Sequence, residues 1–229
     1  MVGVQTGAFL CGSSTSHRYG TVGTIGAVVF DPRTPTQRFV LSNHHVLVNR
    51  GHLRRHTEVL IPGTDDGGWL PDDHLASLHA WAPLRFDADN RMDAALARLH
   101  DPASVLPQQR LLGAHPTTLR APELGMRVCK VGRTSDLTFG VITEIGAWVE
   151  VRFGHHTARF TGQLLIRGDD GQPFSRGGDS GALVLSADTL HPVALLFAAN
   201  PLGSFATPLA RVLDAFGVRL ASLYLSGTS

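Results

Sequence analysis

Short apolar segments separated by turns run through the whole sequence, and this pattern limits the fold more than any other feature. The chain contains 25 glycines and 13 prolines, which favour frequent turns. Strand-like segments with turns roughly every 8–12 residues are typical of all-β sandwiches and barrels. The predicted strands cover residues 20–30, 38–42, 58–61, 75–81, 93–99, 126–131, 140–145, 147–153, 158–166, 182–186 and 193–198.

The remaining segments suggest how the chain is divided. Residues 100–122 contain four prolines and no strong periodicity, so we interpret them as the connection between two halves. A C-terminal helix is predicted after Thr207, a good N-cap, with Pro208 in the first helical position. The predicted organisation is an N-terminal arm (1–19), a first β-domain (20–118), a second β-domain (119–207), and a C-terminal helix and tail (208–229).

Composition argues against several classes of function. A formal net charge of +1 is unlike the basic excess of nucleic-acid-binding proteins. No apolar stretch approaches the roughly 20 residues of a membrane helix, so no membrane partner is expected. The start of the chain lacks the pattern of a signal peptide, which predicts a cytoplasmic protein, although a secreted mature form would look the same. Cys11 and Cys129 are the two cysteines, and the sequence leaves their pairing open.

A glycine-rich stretch at residues 177–181 contains the best candidate for a nucleophile. Ser180 lies between Asp179 and Gly181, just before a predicted strand, so it is expected at a tight turn. Such a turn can expose a serine Oγ beside backbone N–H groups that receive a carbonyl oxygen. An ordinary Asp-Ser turn between two strands is the alternative.

A serine nucleophile also needs a base and an acid that orients the base. Among 12 histidines, His45 follows an apolar strand and precedes Val46 and Leu47, so it is expected to be half-buried. His44 is its rival, because neighbours on a strand point to opposite faces. A strand-end histidine bonded only to backbone is the alternative.

Asp93 is the predicted acid. It opens an apolar strand, where a carboxylate needs a partner to offset its desolvation, and an imidazole N–H would serve. Asp87 and Asp89 lie in a polar loop instead. A simple turn acid is the alternative interpretation of Asp93.

Three motifs in order now indicate a family. Residues 41–46, 93–96 and 178–181 resemble the histidine, aspartate and serine motifs of chymotrypsin-like (trypsin-like) serine peptidases. Residues 128–134 and 138–140 are similar to the bacterial branch that includes the streptogrisins and α-lytic protease. The resemblance extends from about residue 20 to about residue 217.

The resemblance implies an all-β fold of two antiparallel six-stranded barrels with a C-terminal helix. It also implies a serine endopeptidase that acts on protein or peptide substrates, without a cofactor. His45 would be general base and then acid, Asp93 would orient it, and Ser180 would attack the peptide carbonyl. The N–H groups of Gly178 and Ser180 would form the oxyanion hole.

Departures from the family concern cysteines and activation. Val46 and Phe139 stand where relatives carry disulfide cysteines, which suits a reducing compartment. There is no Ile-Val-Gly-Gly start to supply a buried amine for Asp179. By resemblance to an internal arginine of the bacterial branch, Lys130 would form the ion pair with Asp179, with Arg127 and Arg133 as alternatives.

The family pattern also predicts a specificity pocket. Its residues would be Phe174, Phe197, Ala198, Ala199 and Gly203. Because no carboxylate is evident at its base, we expect an apolar residue before the scissile bond.

Two other functions fit parts of the sequence. The same fold could be a catalytically silent module that binds a protein partner. A metal could be held by His52 and His56, or by His155 and His156, but metal sites need three or four convergent ligands and none is predicted. An active intracellular peptidase would need restraint, so a regulatory protein partner is also plausible.

Overall fold

The computed structural model describes residues 7–48 and 56–223. Strands dominate both halves of the chain. The elements of the first half are β1 (Phe9–Cys11), β2 (Ser14–His17), β3 (Gly23–Thr24), β4 (Ala27–Phe30), β5 (Phe39–Ser42), α1 (His44–Leu47), β6 (Glu58–Leu60), β7 (His74–Trp81), β8 (Ala95–Leu99) and β9 (Val105–Gln109). Those of the second half are β10 (Arg127–Gly132), β11 (Asp136–Phe153), β12 (His156–Gly168), β13 (Leu183–Ser186), β14 (Pro192–Asn200), β15 (Gly203–Pro208), α2 (Leu209–Phe216) and β16 (Arg219–Leu220).

The second half forms a closed six-stranded barrel, as predicted. Its strand order is β10-β11-β12-β15-β14-β13, and all its pairings are antiparallel. Apolar side chains that alternate along these strands fill the interior, among them Val128, Ile142, Leu164 and Leu196. Closure removes the free sheet edges that a six-stranded open sheet would leave.

The first half is a half-barrel rather than a closed ring of six. Eight short strands follow the order β16-β4-β5-β8-β7-β6-β2-β3. Its core contains Ile25, Val40, Leu47 and Leu78. The prediction missed β16, which returns from the C-terminus to pair with β4, because a two-residue strand carries almost no pattern of its own.

A shared apolar cluster joins the two halves. It combines Leu41 of the first half with Cys129, Leu183 and Leu195 of the second, and with Leu209 of α2. All are buried, so the two halves share a continuous apolar core. This packing fixes the position of the loops that meet between them.

The predicted N-terminal arm was wrong in part. Within it, β1 pairs with β9 in parallel and β2 joins the first sheet. The small polar side chains of β2 are buried because backbone groups satisfy them: Thr15 Oγ1 donates to the Leu60 carbonyl at 2.9 Å, and Ser14 Oγ accepts from the Gly63 N–H at 3.1 Å. This segment can therefore be buried without the alternating apolar residues that usually mark a buried strand.

Two further corrections concern the predicted linker and the C-terminal helix. Residues 105–109 form β9 rather than pure linker, and their partner β1 lies almost a hundred residues away. Pro208 is the N-cap of α2, since Thr207 Oγ1 instead donates to Gln163 Oε1 at 2.7 Å. In the described part of the chain, no helix has the length and apolar character needed to cross a bilayer.

Candidate active site

Strand register brings His45 beside Asp93. Ser42 at the end of β5 pairs with Ala95 at the start of β8, so the residues just beyond these ends become neighbours. Asn43 then caps the short helix α1, and its Nδ2 donates to the backbone carbonyl of Asp93 at 2.7 Å. His45 therefore lies in a helical turn and not in the extended strand end that we predicted, so strand alternation does not decide between it and His44.

His45 and Asp93 form a tight pair. The Nδ1–H of His45 donates to Asp93 Oδ2 at 2.6 Å, and its backbone N–H donates to Oδ1 at 3.3 Å. Because a carboxylate only accepts, Nδ1 carries the hydrogen and Nε2 is left to accept a proton. The ring of His44 is occupied elsewhere, with Nδ1 2.8 Å from the Ala82 carbonyl.

Asp93 remains ionised in spite of its burial. Its side chain is fully buried, whereas 20% of the His45 side chain is exposed. Burial opposes ionisation of Asp93, but the charge and hydrogen bonds of His45 outweigh it, so its pKa lies below the usual value. An ionised Asp93 can hold the imidazole in one tautomer and stabilise its protonated form.

Ser180 lies in the turn that enters β13, and first-half residues hold this turn. Its backbone carbonyl accepts from the Thr24 N–H at 2.7 Å. Gly23 contacts both this turn and α1: a Cβ at Gly23 would lie 2.7 Å from the Ser180 carbonyl oxygen and 2.4 Å from Val46 Cγ2. The tertiary structure thus seats the predicted serine next to the helix that carries His45.

The Ser180 hydroxyl makes a long hydrogen bond to the Phe197 carbonyl, at 3.5 Å. Within the described residues, no hydrogen bond joins it to the His45 ring. Bonds between a nucleophile and its base are often long in free enzymes and tighten when substrate binds.

The turn also presents two free backbone donors. The N–H groups of Gly178 and Ser180 have no acceptor among the residues that the structure describes. Thr24 Oγ1 holds the loop by donating to the Gly178 carbonyl at 2.9 Å. Gly178 has φ +95°, a conformation that glycine adopts without strain. Two N–H groups beside a serine hydroxyl can bind a developing oxyanion.

Replacing Gly178 by alanine is expected to weaken both the turn and any activity of Ser180. A Cβ there would lie 2.2 Å from Thr134 Oγ1 in addition to the unfavourable φ. We expect a loss of about 1–3 kcal/mol in the free energy of unfolding, measured in urea. Gly177→Ala is the matched control, because its Cβ would meet nothing within 4 Å, and an equal loss there would contradict this explanation.

Asp179 stabilises the same turn through a buried ion pair and several hydrogen bonds. Lys130 Nζ lies 3.2 Å from Asp179 Oδ2, and both side chains are fully buried. Ser135 Oγ joins them, accepting from Lys130 Nζ at 2.6 Å and donating to Asp179 Oδ2 at 2.5 Å. The N–H groups of Thr134 and Arg176 also donate to this carboxylate, both at 2.9 Å.

The charges of this pair are stabilised by each other. Burial opposes the ionisation of Asp179, yet the Ser135 hydroxyl and the Lys130 charge hold its pKa below the usual value. Burial lowers the pKa of Lys130, against the attraction of Asp179. The alternative partners are engaged elsewhere: Arg127 bonds to Asp169, and Arg133 to Asp66 at 2.7 Å.

Three of the five predicted pocket residues line one cavity. Phe174, Ala199 and Gly203 border a space of about 440 Å³. Phe197 and Ala198 are not among its lining residues: the Phe197 ring is buried against Phe160 at 4.8 Å between centroids. The prediction missed the polar members of the lining because they belong to no motif and come together only when separate strands and loops meet. They are Arg167, Gln172, Ser175, Asn200 and Ser204.

The long hairpin β11–β12 brings an aromatic side chain to the site, and the sequence analysis did not predict this side chain there. The Phe153 ring lies 5.9 Å from the His45 ring, between centroids. Asn90, three residues before Asp93, holds the hairpin through its N–H and side chain, which donate to the Arg159 carbonyl at 2.8 and 3.0 Å. The alternation of residues 147–153 predicted the strand but not its contact with His45.

The histidines of the metal alternative do not converge with other ligands in the described structure. No group of three or more histidine, cysteine or acidic side chains there could hold a metal ion. His155 and His156 lie at the turn and the start of β12, and the His156 ring packs on Phe86 at 4.9 Å. His52 lies outside the described residues.

Known proteins match this chain by structure but not by sequence. No protein-family model matches the sequence, and no curated protein matches it. Solved structures match over almost the whole chain, all at low identity. Thermobifida fusca protease A is 18% identical with a TM-score of 0.62, covering 94% of this chain and 99% of its own. A glutamic acid-specific serine protease is 16% identical with a TM-score of 0.65, covering 93% and 100%.

Cellulomonas bogoriensis chymotrypsin is a further match, 16% identical with a TM-score of 0.59, covering 94% of this chain and 99% of its own. At such identities the likeness concerns the fold. The closed barrel, the half-barrel and the C-terminal helix agree with it. The protein therefore has the two-barrel fold of the bacterial chymotrypsin-like serine proteases.

Proposed function

We propose that the protein is a serine endopeptidase that hydrolyses peptide bonds through an acyl-enzyme intermediate. The hydrogen-bonded pair of Asp93 and His45 carries this proposal, with the half-buried Ser180 in a turn that Gly23 packs against α1. The fold shared with serine proteases supports it. Protein or peptide segments are the corresponding substrates.

The proposed reaction has two steps, formation of an ester on Ser180 and its hydrolysis. His45 Nε2 takes the proton of Ser180 Oγ as the oxygen attacks the peptide carbonyl carbon. The carbonyl oxygen becomes an oxyanion that accepts from the N–H groups of Gly178 and Ser180. His45 then gives its proton to the leaving amine, which leaves an ester on Ser180. Water, activated by His45 in the same way, hydrolyses the ester.

A catalytically silent module that binds a protein partner is the second candidate. One observation favours it: the Ser180 hydroxyl is bonded to the Phe197 carbonyl and not to His45. In such a module the ion pair of Lys130 and Asp179 would still hold the turn. Ser180 would not act as a nucleophile.

Labelling with a fluorophosphonate probe separates the two candidates. An activated serine reacts with the probe, so the native chain should be labelled on one peptide, the one that contains Ser180. Ser180→Ala should remove the label without changing the unfolding transition. A native chain that remains unlabelled, and that cleaves no peptide of a random library, would contradict the peptidase proposal and favour the binding module.

We also infer that the protein works in a reducing compartment such as the cytoplasm. Cys11 and Cys129 are buried free thiols, so they do not pair with each other. Burial raises the pKa of Cys11 to about 12 and that of Cys129 to about 11, which keeps both protonated at neutral pH. Recovery of the protein from the medium of the cells that make it would contradict this.

A further inference from the structure

The cavity that contains three of the predicted pocket residues has polar side chains and an arginine in its lining, in contrast to the apolar pocket that the sequence predicts. It has a volume of about 440 Å³. One wall contains Phe174 and Ser175, on the segment that leads into the Ser180 turn. Another part of the lining contains Ala199, two residues after the carbonyl that accepts from Ser180 Oγ. A substrate held on Ser180 would direct the side chain before the scissile bond between these two parts of the lining.

Two buried hydroxyls form a pair in this lining. Ser175 Oγ and Ser204 Oγ are 2.7 Å apart, and the residues are 6% and 2% exposed. Each hydroxyl has one hydrogen, and their mutual bond uses only one of the two. Among the described residues, no other group accepts the second hydrogen. The pair therefore offers a buried donor to whatever occupies the cavity, and an occupant without an acceptor would leave this donor unsatisfied.

Arg167 is the charged residue of the same lining, and no carboxylate is present in it. In the described structure, Arg167 has no ion pair within 4.0 Å. Asp169 and Asp170, which follow closely in the sequence, line an adjoining cavity, and Asp169 pairs there with Arg127. Arg167 is exposed at this cavity, and without an intramolecular ion pair its guanidinium can pair with a carboxylate of a ligand.

We propose that this cavity selects an acidic side chain, glutamate or aspartate, immediately before the scissile bond, and that Arg167 determines this preference. The inference rests on the proposed peptidase function. A carboxylate only accepts hydrogen bonds, so it suits both the guanidinium and the free hydroxyl hydrogen. A leucine or phenylalanine side chain would satisfy neither, and an arginine or lysine would be repelled by Arg167.

The test compares peptides that differ only in the residue before the scissile bond: glutamate, glutamine, leucine and arginine. For the native protein we expect kcat/KM to be about 10- to 100-fold higher for glutamate than for glutamine or leucine. Arg167→Met should lower this preference about tenfold while cleavage after leucine changes less than twofold. Arg167→Lys should retain part of the preference. Arg219→Met, at an exposed arginine of β16, is the control and should change nothing.

The outcomes separate this inference from the proposed function. If Ser180 is labelled by the fluorophosphonate probe but cleavage follows leucine or phenylalanine better than glutamate, the acidic preference is wrong and the peptidase proposal stands. The same holds if Arg167→Met slows the cleavage of all four peptides equally. If Ser180 is not labelled and no peptide is cleaved, both proposals are overturned.

Discussion

Asp93→Asn is expected to lower kcat for peptide hydrolysis about ten-thousandfold, with little change in fold. Asp93 Oδ2 accepts the Nδ1–H of His45 at 2.6 Å, which leaves Nε2 free for the serine proton. An asparagine amide can donate to Nδ1 instead, and the hydrogen of the ring then moves to Nε2. In that tautomer His45 cannot take the proton of Ser180. Steady-state kinetics on the best library peptide would measure the loss.

Two controls make this expectation specific. Asp89→Asn removes an exposed carboxylate, 3.6 Å from Arg159, and should leave kcat within about twofold. Ser180→Ala should cause a loss of about 10⁶-fold, and adding Asp93→Asn to it should cause little further loss, because groups that act as a unit are not additive. Full additivity of the two variants would show that Asp93 does not act through His45 and Ser180.

Lys130→Met is expected to destabilise the protein by about 3–5 kcal/mol and to abolish fluorophosphonate labelling of Ser180. Lys130 Nζ lies 3.2 Å from Asp179 Oδ2 with both side chains fully buried, so the variant leaves a buried carboxylate without its cation. The carboxylate holds the backbone of Thr134 and Arg176 on either side of the proposed oxyanion hole. Urea unfolding and the rate of labelling would measure the two effects.

The double variant Lys130→Met/Asp179→Asn tests the cause. Removing both charges eliminates the unpaired ion, so the double variant should be more stable than Lys130→Met alone. Arg127→Met is the matched surface control: Arg127 pairs with Asp169 but its side chain is 65% exposed, and we expect a loss of at most about 1 kcal/mol. If the double variant were no more stable than the single one, the ion pair would not explain the loss.

Much of the β-structure could be predicted from local pattern. The segments that became β5, β7, β10 and β13 are apolar runs between turns, and a buried strand needs little more. The prediction failed for segments that form strands only by pairing with segments far away in the sequence. β2 is buried through hydrogen bonds of Ser14 and Thr15 rather than through apolar side chains, and β9 depends on β1, which lies almost a hundred residues earlier in the sequence.

In the candidate site, too, some residues could be predicted from the sequence and others could not. His45, Asp93 and Ser180 could be selected from the sequence because each stands at the edge of an apolar strand within a motif. The helix at His45, the contact of Phe153 with its ring and the hydroxyl pair of Ser175 and Ser204 could not, since each depends on chain segments that meet only after folding.

The sequence by itself therefore determined the all-β class and the candidate triad, because both follow from residue type and local spacing. Only the tertiary structure decided the partner of Asp179 and the character of the cavity. The resemblance favoured Lys130 and left Arg127 and Arg133 as alternatives, and the packing of the fold buries Lys130 beside the carboxylate. Arg167, near the end of β12, meets Asn200 of β14 and Ser204 of β15 in the cavity lining only after the barrel strands have paired, and no local pattern encodes that meeting.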